Sequence, residues 1–310
     1  MGNSLLSFAR LLVYLAFTLP LMPVQALAVA LRLDLARTLP VFYHRKCLPI
    51  MGFRLEVLGE RLERAPVLYV CNHASYLDIT VLGSLIPGSF VAKSEVKTWP
   101  FFGWLAQLQR TVFVVRRGNH AGRQRDNIAS RLNKGGNLIL FPEGTSNDGN
   151  RVLPFKSALF AAAETRIDGE RVQVQPVSIS YTRLNGIPIG RSLRPFFAWY
   201  GDMALAGHLW RVLGLGVVTV TVRFHPPVTL DDFPDRKAMA AYCGQQVLLG
   251  VTAANAGREM PVVPGPGAGG PGTGPDRVPA GVRGGVPEGI PGALPSVVPG
   301  VAPGAVGAVA

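Results

Sequence analysis

The sequence predicts an α/β domain with a central, mostly parallel sheet flanked by helices, preceded by an apolar membrane-anchoring segment and followed by a disordered tail. Three observations lead to this prediction. Short β-rich runs alternate with helical patterns between residues 53 and 250, an uncharged run occupies 11–31, and Gly and Pro dominate the C-terminus. The expected regions are therefore an anchor at 1–49, a globular domain at 50–255 and a tail at 256–310.

The apolar run from Leu11 to Leu31 contains 21 residues without a charge, about the length that crosses a hydrocarbon core. Pro20 and Pro23 lie in its middle, where they would break or kink a continuous helix. Two arrangements are therefore open: a spanning helix, and a helical hairpin that enters one leaflet and bends at the Pro-x-x-Pro region. Basic residues flank the run on both sides, which favours a segment with both ends on the cytoplasmic side.

Six runs in the remaining chain have the β-branched and aromatic composition of strands. They lie at residues 53–59, 67–71, 111–115, 137–141, 172–181 and 217–224. Helical spacing is found between them, for example at 120–135 and 155–166. Strands that alternate with helices are typical of a domain with a largely parallel sheet.

The tail contains 14 Gly and 11 Pro between residues 261 and 310 and no aromatic residue, so it cannot bury enough apolar surface to become ordered. Its four charged residues cancel, and the net charge of +12 therefore lies in residues 1–260. A basic domain suits an anionic partner, and the positive mean hydropathy favours a membrane surface over nucleic acid. The three cysteines are widely spaced, which predicts reduced thiols and offers no metal-binding pattern.

The run VLYVCNHASYLDIT leaves a strand and enters a helix, which places His73 on the turn and Asp78 in the first helical turn. Ligands gather at the carboxyl ends of strands in α/β sheets, so chemistry is expected here. We expect the imidazole to fold back towards the carboxylate, which would fix its tautomer and leave the second ring nitrogen as a base. Ser75 is predicted as the N-cap residue. Taken alone, these residues are equally compatible with a helix cap and a polar turn.

Further polar residues follow other predicted strands. In FPEGTS, Glu143 with Gly144 and Thr145 could orient a substrate or line an oxyanion site. The strand TVFVV is followed by two arginines, a pair that suits phosphate binding. Lys156 lies at the entrance of a predicted helix, where anions are favoured. Each of these patterns, taken singly, is also that of an ordinary turn or a solvated surface.

The order and spacing of these pieces resemble the glycerolipid acyltransferase family, in particular bacterial 1-acyl-sn-glycerol-3-phosphate acyltransferases. That family carries four sequence blocks, and the chain has a counterpart of each. The counterparts are NHASYLD (72–78), RTVFVVR (110–116), FPEGTS (141–146) and VQPV (174–177). The stretch at 91–103 also resembles the one that links the first two blocks, and the resemblance covers about residues 50–230. Arg110 stands where the second block often has Gly, and Ser146 stands where the third often has Arg.

The resemblance implies that residues 50–255 form an acyltransferase domain. In that domain His73 is the general base that activates the hydroxyl of a lysolipid, and Asp78 orients the imidazole and stabilises its charged form. Arg116 is expected to bind the acceptor phosphate, and the Pro-Glu-Gly turn is expected to bind the acceptor. The expected substrate-binding residues are Arg116, Glu143, Gly144, Thr145 and Lys156, of which Lys156 is added on its position alone.

The expected reaction moves an acyl chain from acyl-CoA or acyl-ACP to the sn-2 hydroxyl of 1-acylglycerol-3-phosphate and gives phosphatidic acid. No metal and no cofactor beyond the thioester co-substrate is expected. The expected partners are the lipid bilayer, the lysolipid acceptor and the thioester carrier, without nucleic acid. The expected location is the bacterial cytoplasmic (inner) membrane, with the active site on the cytoplasmic face.

Two alternatives remain at this point. Because Ser146 removes one phosphate-binding guanidinium, the acceptor could be another lysolipid without a glycerol phosphate, such as lyso-ornithine lipid. The alternative from another class is a non-catalytic basic protein that binds anionic membranes or nucleic acid. Such a protein would be expected to lack one of the block residues, and none is missing.

Overall fold

A computed structural model describes residues 2–63, 66–114, 128–261 and 265–266 and contains an eight-stranded central sheet. Its strands are β1 (Phe53–Leu58), β2 (Val67–Cys71), β3 (Gly88–Lys93), β4 (Val112–Val114), β5 (Asn137–Leu140), β8 (Gln173–Leu184), β9 (Ile187–Pro188) and β10 (Val218–Phe224), while β6 (Arg166–Ile167) and β7 (Glu170–Arg171) form a separate ribbon. Arg116 and almost all of the predicted tail lie outside the described residues.

The strand order is β1-β10-β8-β2-β5-β3-β4, and β9 pairs with β8. Neighbours from β8 to β4 are parallel, whereas β10 runs antiparallel to β8 and carries β1 parallel to itself. The predicted α/β class with a mostly parallel sheet is thus confirmed. The carboxyl ends of β2 and β5 lie side by side at one edge of the sheet, so the loops that follow them meet there.

The strand predictions correspond to β1, β2, β4, β5, β8 and β10, but β3 was not predicted. Its sequence GSFVAK has only two large apolar residues, Phe90 and Val91, between small and polar ones. The pattern therefore gives neither a long apolar run nor a clear alternation. This run is a strand because of its neighbours in the sheet: β3 lies between β5 and β4 and hydrogen-bonds to both.

Helices cover both faces of the sheet. They are α1 (Ser4–Ala30), α2 (Leu35–Met51), α3 (Leu77–Leu85), α4 (Phe102–Leu108), α5 (residues 128–133), α6 (Leu205–Leu213) and α7 (Arg236–Ala256), with a 3-10 helix at Ser157–Glu164. On one face, α2 and α3 contribute Leu48, Leu77 and Leu82 to a core. On the other, the 3-10 helix and α7 contribute Phe160 and Met239. Burial on both faces explains why β2 and β5 are buried throughout.

The N-terminal segment forms a helical hairpin whose bend lies after the apolar helix and not at the Pro-x-x-Pro region. α1 continues through Pro20 and Pro23, and the chain turns at 31–34, where Arg32 has a left-handed φ of 56°. Each proline removes one donor from the helix, yet both lie on its exposed side, where no other element has to fit around the rings. Of the two arrangements that the sequence left open, the hairpin with its bend at the Pro-x-x-Pro region is therefore excluded, because one continuous helix runs through both prolines.

α1 has an inverted distribution of polarity. Its polar residues Ser7, Thr18 and Gln25 are buried against the rest of the protein. Large apolar residues are exposed instead, namely Leu5, Phe8, Leu12, Val13, Leu19, Val24 and Leu27. A helix on a water-facing surface shows the opposite arrangement. By length and composition α1 is also long and apolar enough to cross a membrane, so its outer face is suited to lipid.

Hydrogen bonds at the start of α1 fasten it to the end of α6. Arg10 Nη1 donates to the carbonyl oxygens of Leu213 and Leu215 at 3.0 and 2.6 Å. Ser7 Oγ donates to the Trp210 carbonyl at 2.9 Å, and the backbone N–H of Asn3 donates to the Gly214 carbonyl. These bonds satisfy carbonyls that the C-terminal end of a helix leaves without partners.

Replacing Arg10 by Ala should weaken the attachment of the hairpin. The two carbonyls would lose a charged donor, and we expect the free energy of unfolding to fall by about 1 kcal/mol. Thermal unfolding of the detergent-solubilised protein would measure the loss. Arg37→Ala is the matched control, because the Arg37 side chain is exposed on the same hairpin and makes no hydrogen bond to any described residue; only the backbone N–H, which the substitution keeps, donates to the Asp34 carbonyl. Equal melting temperatures for Arg10→Ala and the wild type would contradict the role.

Candidate active site

The loops that follow β2 and β5 bring the two predicted carboxylates to opposite sides of His73. The His73 Nδ1 atom lies 2.9 Å from Asp78 Oδ2. Asp78 is fully buried, whereas 22 % of the His73 side chain is exposed. An acceptor oxygen at Nδ1 places the imidazole proton there and leaves Nε2 with a free lone pair. The expected folding of the imidazole back onto the carboxylate is therefore what the structure shows.

The Asp78 carboxylate holds the turn before α3 as well as the imidazole. Its Oδ2 atom accepts the backbone N–H groups of Ala74 and Ser75 at 2.8 and 2.9 Å. Its Oδ1 atom accepts the hydroxyl of Tyr181, on β8, at 2.7 Å. Ser75 is not the N-cap residue that the sequence predicted, since α3 begins at Leu77. The N-cap position falls to Tyr76, while Ser75 Oγ accepts the Leu77 N–H at 3.4 Å and Asp78 holds the two amides that precede the helix.

Glu143 fixes the same loop from the other side. Its Oε1 atom accepts the backbone N–H of His73 at 2.8 Å, and its Oε2 atom accepts from Asn147 Nδ2 and the Leu153 N–H at 2.7 and 3.0 Å. Burial raises the pKa of Glu143 to about 7, against the opposing effect of these donors. Only 1 % of the residue is exposed. Glu143 thus positions the loop that carries His73.

Two asparagines that sequence reasoning gave no role complete this framework. Asn72 is buried, and its side chain donates to the carbonyl and accepts the N–H of Ile179 on β8. Asn147 donates through its backbone N–H to the His73 carbonyl at 3.2 Å and through Nδ2 to Glu143. The only sign of these roles in the sequence was position: Asn72 directly precedes His73, and Asn147 directly follows FPEGTS. Ile179 is remote from Asn72 in the sequence, and His73 is remote from Asn147, so these two contacts were not visible.

An aromatic ring supports the imidazole face. The rings of His73 and Phe141 stack with centroids 4.1 Å apart and an angle of 19° between planes. Phe141 in turn stacks on Phe90 at 6.3 Å. Together with the Asp78 hydrogen bond, the stack restricts the imidazole to one orientation.

The other predicted site residues differ in how far the structure supports a role in the site. Gly144 has a left-handed φ of 73°, a conformation that favours glycine. Thr145 is exposed and donates to the Ser146 carbonyl at 3.4 Å, which is a weak local bond. Lys156 is exposed and precedes a 3-10 helix instead of the expected α-helix, so the argument for an anion at a helix N-terminus loses force. Arg116 lies outside the described residues.

The two departures from the family pattern have structural explanations. Arg110 has a φ of 59°, which lies in the left-handed region that favours glycine. This backbone conformation explains why the family often has glycine at that position. Ser146 Oγ donates to the carbonyl of Trp199 at 2.6 Å. The Trp199 N–H donates to the Ala74 carbonyl at 2.8 Å. Ser146 thus ties the Pro-Glu-Gly loop to the His73 loop and presents no cation to a ligand.

An apolar cavity of about 170 Å³ lies between the hairpin and the face of the sheet that carries α3. Its wall includes residues of α1, α2, α3, α4 and β3, among them Tyr76 and Phe90. Because Phe90 stacks on Phe141 and Phe141 stacks on His73, the cavity lies two rings away from the imidazole. Such a cavity beside a candidate base is suited to a fatty chain. In the described part of the chain, no three His, Cys, Asp or Glu residues form a cluster that could hold a metal ion.

Comparison with known proteins assigns the class. Residues 54–180 match the protein-family description Acyltransferase. The chain is 46 % identical over 250 residues to a lyso-ornithine lipid O-acyltransferase of Brucella abortus (strain 2308), covering 79 % of this chain and 94 % of the relative. It is 44 % identical to one of Rhizobium meliloti (strain 1021), covering 74 % and 80 %. The chain belongs to the acyltransferase family.

More distant relatives share the class but are named for another acceptor. A 1-acyl-sn-glycerol-3-phosphate acyltransferase of Neisseria gonorrhoeae is 34 % identical, covering 56 % of this chain and 64 % of the relative. The crystal structure of a 1-acyl-sn-glycerophosphate acyltransferase from Thermotoga maritima aligns with a TM-score of 0.51 at 24 % identity, covering 71 % and 79 %. That alignment confirms the fold. The expected acyltransferase class is confirmed, and the two relatives named as lyso-ornithine lipid O-acyltransferases match a larger share of the chain, at higher identity, than the Neisseria gonorrhoeae protein does.

The buried Glu143 predicts a pH dependence of stability. Its pKa is about 7 in the folded protein and 4.5 ordinarily, so folding favours the protonated form. The stabilisation is fully present below about pH 4.5 and is lost as the pH rises through about 7. The free energy of unfolding of the wild type, minus that of Glu143→Gln, which does not titrate, should fall across this window. A flat or rising difference would show that the three donors hold the carboxylate ionised.

Proposed function

We propose that the protein transfers a fatty acyl group from an acyl thioester to the free hydroxyl of lyso-ornithine lipid. The observation that carries the chemistry is the His73 Nδ1–Asp78 Oδ2 contact of 2.9 Å, with Nε2 left as a base. The lyso-ornithine lipid O-acyltransferases of Brucella abortus and Rhizobium meliloti, which match 79 % and 74 % of the chain, support the acceptor. The acceptor first expected from the sequence, 1-acylglycerol-3-phosphate, becomes the second candidate, supported by the more distant relatives.

The proposed reaction uses one base and no covalent intermediate on the protein. His73 Nε2 removes the proton of the acceptor hydroxyl as its oxygen attacks the thioester carbonyl. The tetrahedral intermediate collapses, the C–S bond breaks, and the imidazolium returns the proton to the departing thiolate. The buried Asp78 stabilises the imidazolium between these steps. A thioester is already an activated acyl donor, so no metal or further cofactor is proposed; the carrier is coenzyme A or acyl carrier protein.

The environment of Ser146 supports an acceptor without phosphate. In the family pattern an arginine often stands there, and a guanidinium binds phosphate through two parallel hydrogen bonds. Here the Ser146 hydroxyl donates its hydrogen bond to the Trp199 carbonyl at 2.6 Å. Lyso-ornithine lipid has a free hydroxyl and an amino-acid headgroup in place of glycerol phosphate, so it does not need that cation.

The hairpin supports a location at the bacterial cytoplasmic membrane with the active site on the cytoplasmic face. α1 is fastened to the domain near Arg10 at one end and near Gln25 at the other, where Gln25 donates to the Leu108 carbonyl. A helix held along its length cannot also cross the bilayer away from the domain. We therefore propose that the hairpin lies in one leaflet with its apolar outer face in lipid, which brings lysolipid and product to His73.

The acceptor assay tests the proposal directly. Purified protein in detergent micelles, given a labelled acyl thioester, should acylate lyso-ornithine lipid at least about tenfold faster in kcat/KM than 1-acylglycerol-3-phosphate, a difference of about 1.4 kcal/mol. His73→Ala should abolish transfer to both while leaving the melting temperature close to that of the wild type. Faster acylation of 1-acylglycerol-3-phosphate would reverse the acceptor assignment, and turnover by His73→Ala would exclude His73 as the base.

Asp78→Asn should remove the charge without removing the framework. The amide oxygen can still accept from His73, Ala74 and Ser75, and the amide nitrogen can donate to the Tyr181 hydroxyl oxygen. We expect kcat to fall on the order of 10²–10⁴-fold with KM nearly unchanged, since the imidazolium loses its counter-charge.

Tyr181→Phe is the matched control for Asp78→Asn, because it removes a hydrogen bond from the same carboxylate but keeps its charge. Its kcat should fall much less. Wild-type kcat in Asp78→Asn, or equal losses in the two variants, would reduce Asp78 to a structural cap.

A further inference from the structure

Three arginines from separate parts of the chain form a cluster without a carboxylate. Arg37 is in the first turn of α2, Arg110 lies between α4 and β4, and Arg131 is in α5. Arg131 Nη2 donates to the Arg110 carbonyl at 3.2 Å. Among the described residues, no Asp or Glu forms an ion pair with any of the three, and this includes Asp34, the acid nearest to Arg37 in the sequence. The positive charge of this arginine cluster is therefore uncompensated within the described chain.

A buried glutamine brings the hairpin to the segment that carries Arg110. Gln25 Nε2 donates to the carbonyls of Ala36 and Leu108 at 3.1 and 2.9 Å. Ala36 directly precedes Arg37, and Leu108 is two residues before Arg110. One nitrogen atom thus holds the start of α2 against the end of α4, and the two arginines follow from these ends.

The guanidinium groups of the cluster repel one another. Burial lowers the pKa of Arg110, and the charges of Arg131 and Arg37 lower it further. The pKa of Arg131 is lowered by burial and then by Arg37. Because arginine stays protonated at physiological pH, the repulsion persists until an anion lies between the groups.

The backbone at Arg110 indicates that its side chain has a function. Its φ of 59° favours glycine, which is also the residue that the family often has there. A strained backbone that keeps a long cationic side chain points to a use for that side chain. Of the three guanidinium nitrogens, Nε is buried without a partner, whereas Nη1 and Nη2 are not. The Nη atoms donate to no described residue and can therefore reach a ligand.

The surroundings of the arginine cluster suit a membrane interface. Leu31, Leu33 and Leu35, at the turn of the hairpin, are 60, 47 and 42 % exposed. Large apolar residues exposed beside Arg37 need a partner that is apolar and anionic at once. A phospholipid has both properties, since its chains can contact the leucines while its headgroup phosphate contacts the arginines.

We propose that Arg110 and Arg131 bind the headgroup phosphate of an anionic membrane phospholipid, with Arg37 adding to the attraction. A guanidinium binds phosphate oxygens through two parallel hydrogen bonds. A phosphate between two such groups also removes the repulsion between them. The inference uses the proposed placement of the hairpin in a leaflet but does not use the proposed reaction.

The phospholipid site is separate from the candidate active site. The Gly136 N–H, directly before β5, donates to the Arg131 carbonyl, so the Arg131 backbone lies at the amino end of β5. His73 follows the carboxyl end of β2, the parallel neighbour of β5. The two sites therefore lie at opposite ends of the sheet, and a phospholipid bound at the arginine cluster is not the reacting lysolipid.

The experiment measures phospholipid binding by the full-length protein in non-ionic detergent micelles, with native mass spectrometry as the readout. Phosphatidylglycerol and phosphatidylcholine with identical chains are offered at equal concentration. The first is anionic, whereas the choline of the second neutralises its phosphate. We expect the wild type to bind phosphatidylglycerol about tenfold more tightly, the effect of one hydrogen bond to a charged group. Added salt should reduce the preference.

Variants assign the preference to the arginine cluster. Arg110→Gly removes the guanidinium and supplies the residue that the backbone favours, so the preference should fall to about twofold or less. Its melting temperature should equal or exceed that of the wild type, whereas a merely structural Arg110 would give a lower one. Arg131→Gln should also reduce the preference. Arg258→Gln is the matched control, because it removes the same charge from an exposed arginine after α7, and it should keep the wild-type preference.

Coenzyme A is the second arm, since it also carries phosphates. Its binding should be the same in the wild type and in Arg110→Gly. Loss of coenzyme A binding in Arg110→Gly would assign the cluster to the thioester carrier and overturn the lipid assignment. Equal affinity of the wild type for the two phospholipids, or the wild-type preference in Arg110→Gly, would overturn it as well. Turnover is not measured, so the outcome does not depend on the proposed reaction.

Discussion

The buried carboxylate of Asp78 is the constraint on which the site depends. A fully buried charge is costly unless hydrogen bonds satisfy it, and Asp78 is satisfied by groups from two parts of the chain. His73 and the turn amides come from the loop after β2, and Tyr181 comes from β8. The β2–β8 register sets this meeting, because Cys71 lies opposite Val177 and Tyr181 follows four residues later. The pairing of β2 with β8 that orders the sheet is therefore also what brings the Tyr181 hydroxyl to Asp78.

Glu143 extends the same principle to the neighbouring loop. The N–H groups of His73, Ala74 and Ser75 are consecutive, and all three are taken by carboxylate oxygens. Such a loop has no freedom to rotate its peptide groups, so the imidazole is placed before any substrate arrives. The same bonds mean that these three amides are not available to a developing oxyanion. The glutamate of FPEGTS is thus explained by its contact with the His73 loop, which its sequence position next to a glycine turn did not indicate.

The sequence predicted the parts of the site that are local and missed those that depend on pairing. His73 and Asp78 are five residues apart, and a strand end followed by a helix start brings them together without help from the rest of the fold. Tyr181 was invisible because only the β2–β8 pairing brings it to Asp78. β3 was missed for a similar reason, since a short and partly polar run becomes a strand only between two neighbours. The contact made by Ser146 was also not visible, because the Trp199 carbonyl to which it donates is 53 residues away in the sequence.

The hairpin explains why an apolar N-terminal segment belongs to the enzyme's mechanism as well as to its location. Its polar residues face inwards, where Gln25 and His44 line the cavity, and its exposed residues are apolar. In water this arrangement would be unfavourable on both sides, since it exposes leucines and buries hydrogen-bonding groups. In a leaflet the apolar outer face would contact lipid. The polar residues of the inner face are hydrogen-bonded to α4 and α6 within the protein. In the proposed placement, this pair of helices forms both the lipid-facing surface and one wall of the apolar cavity.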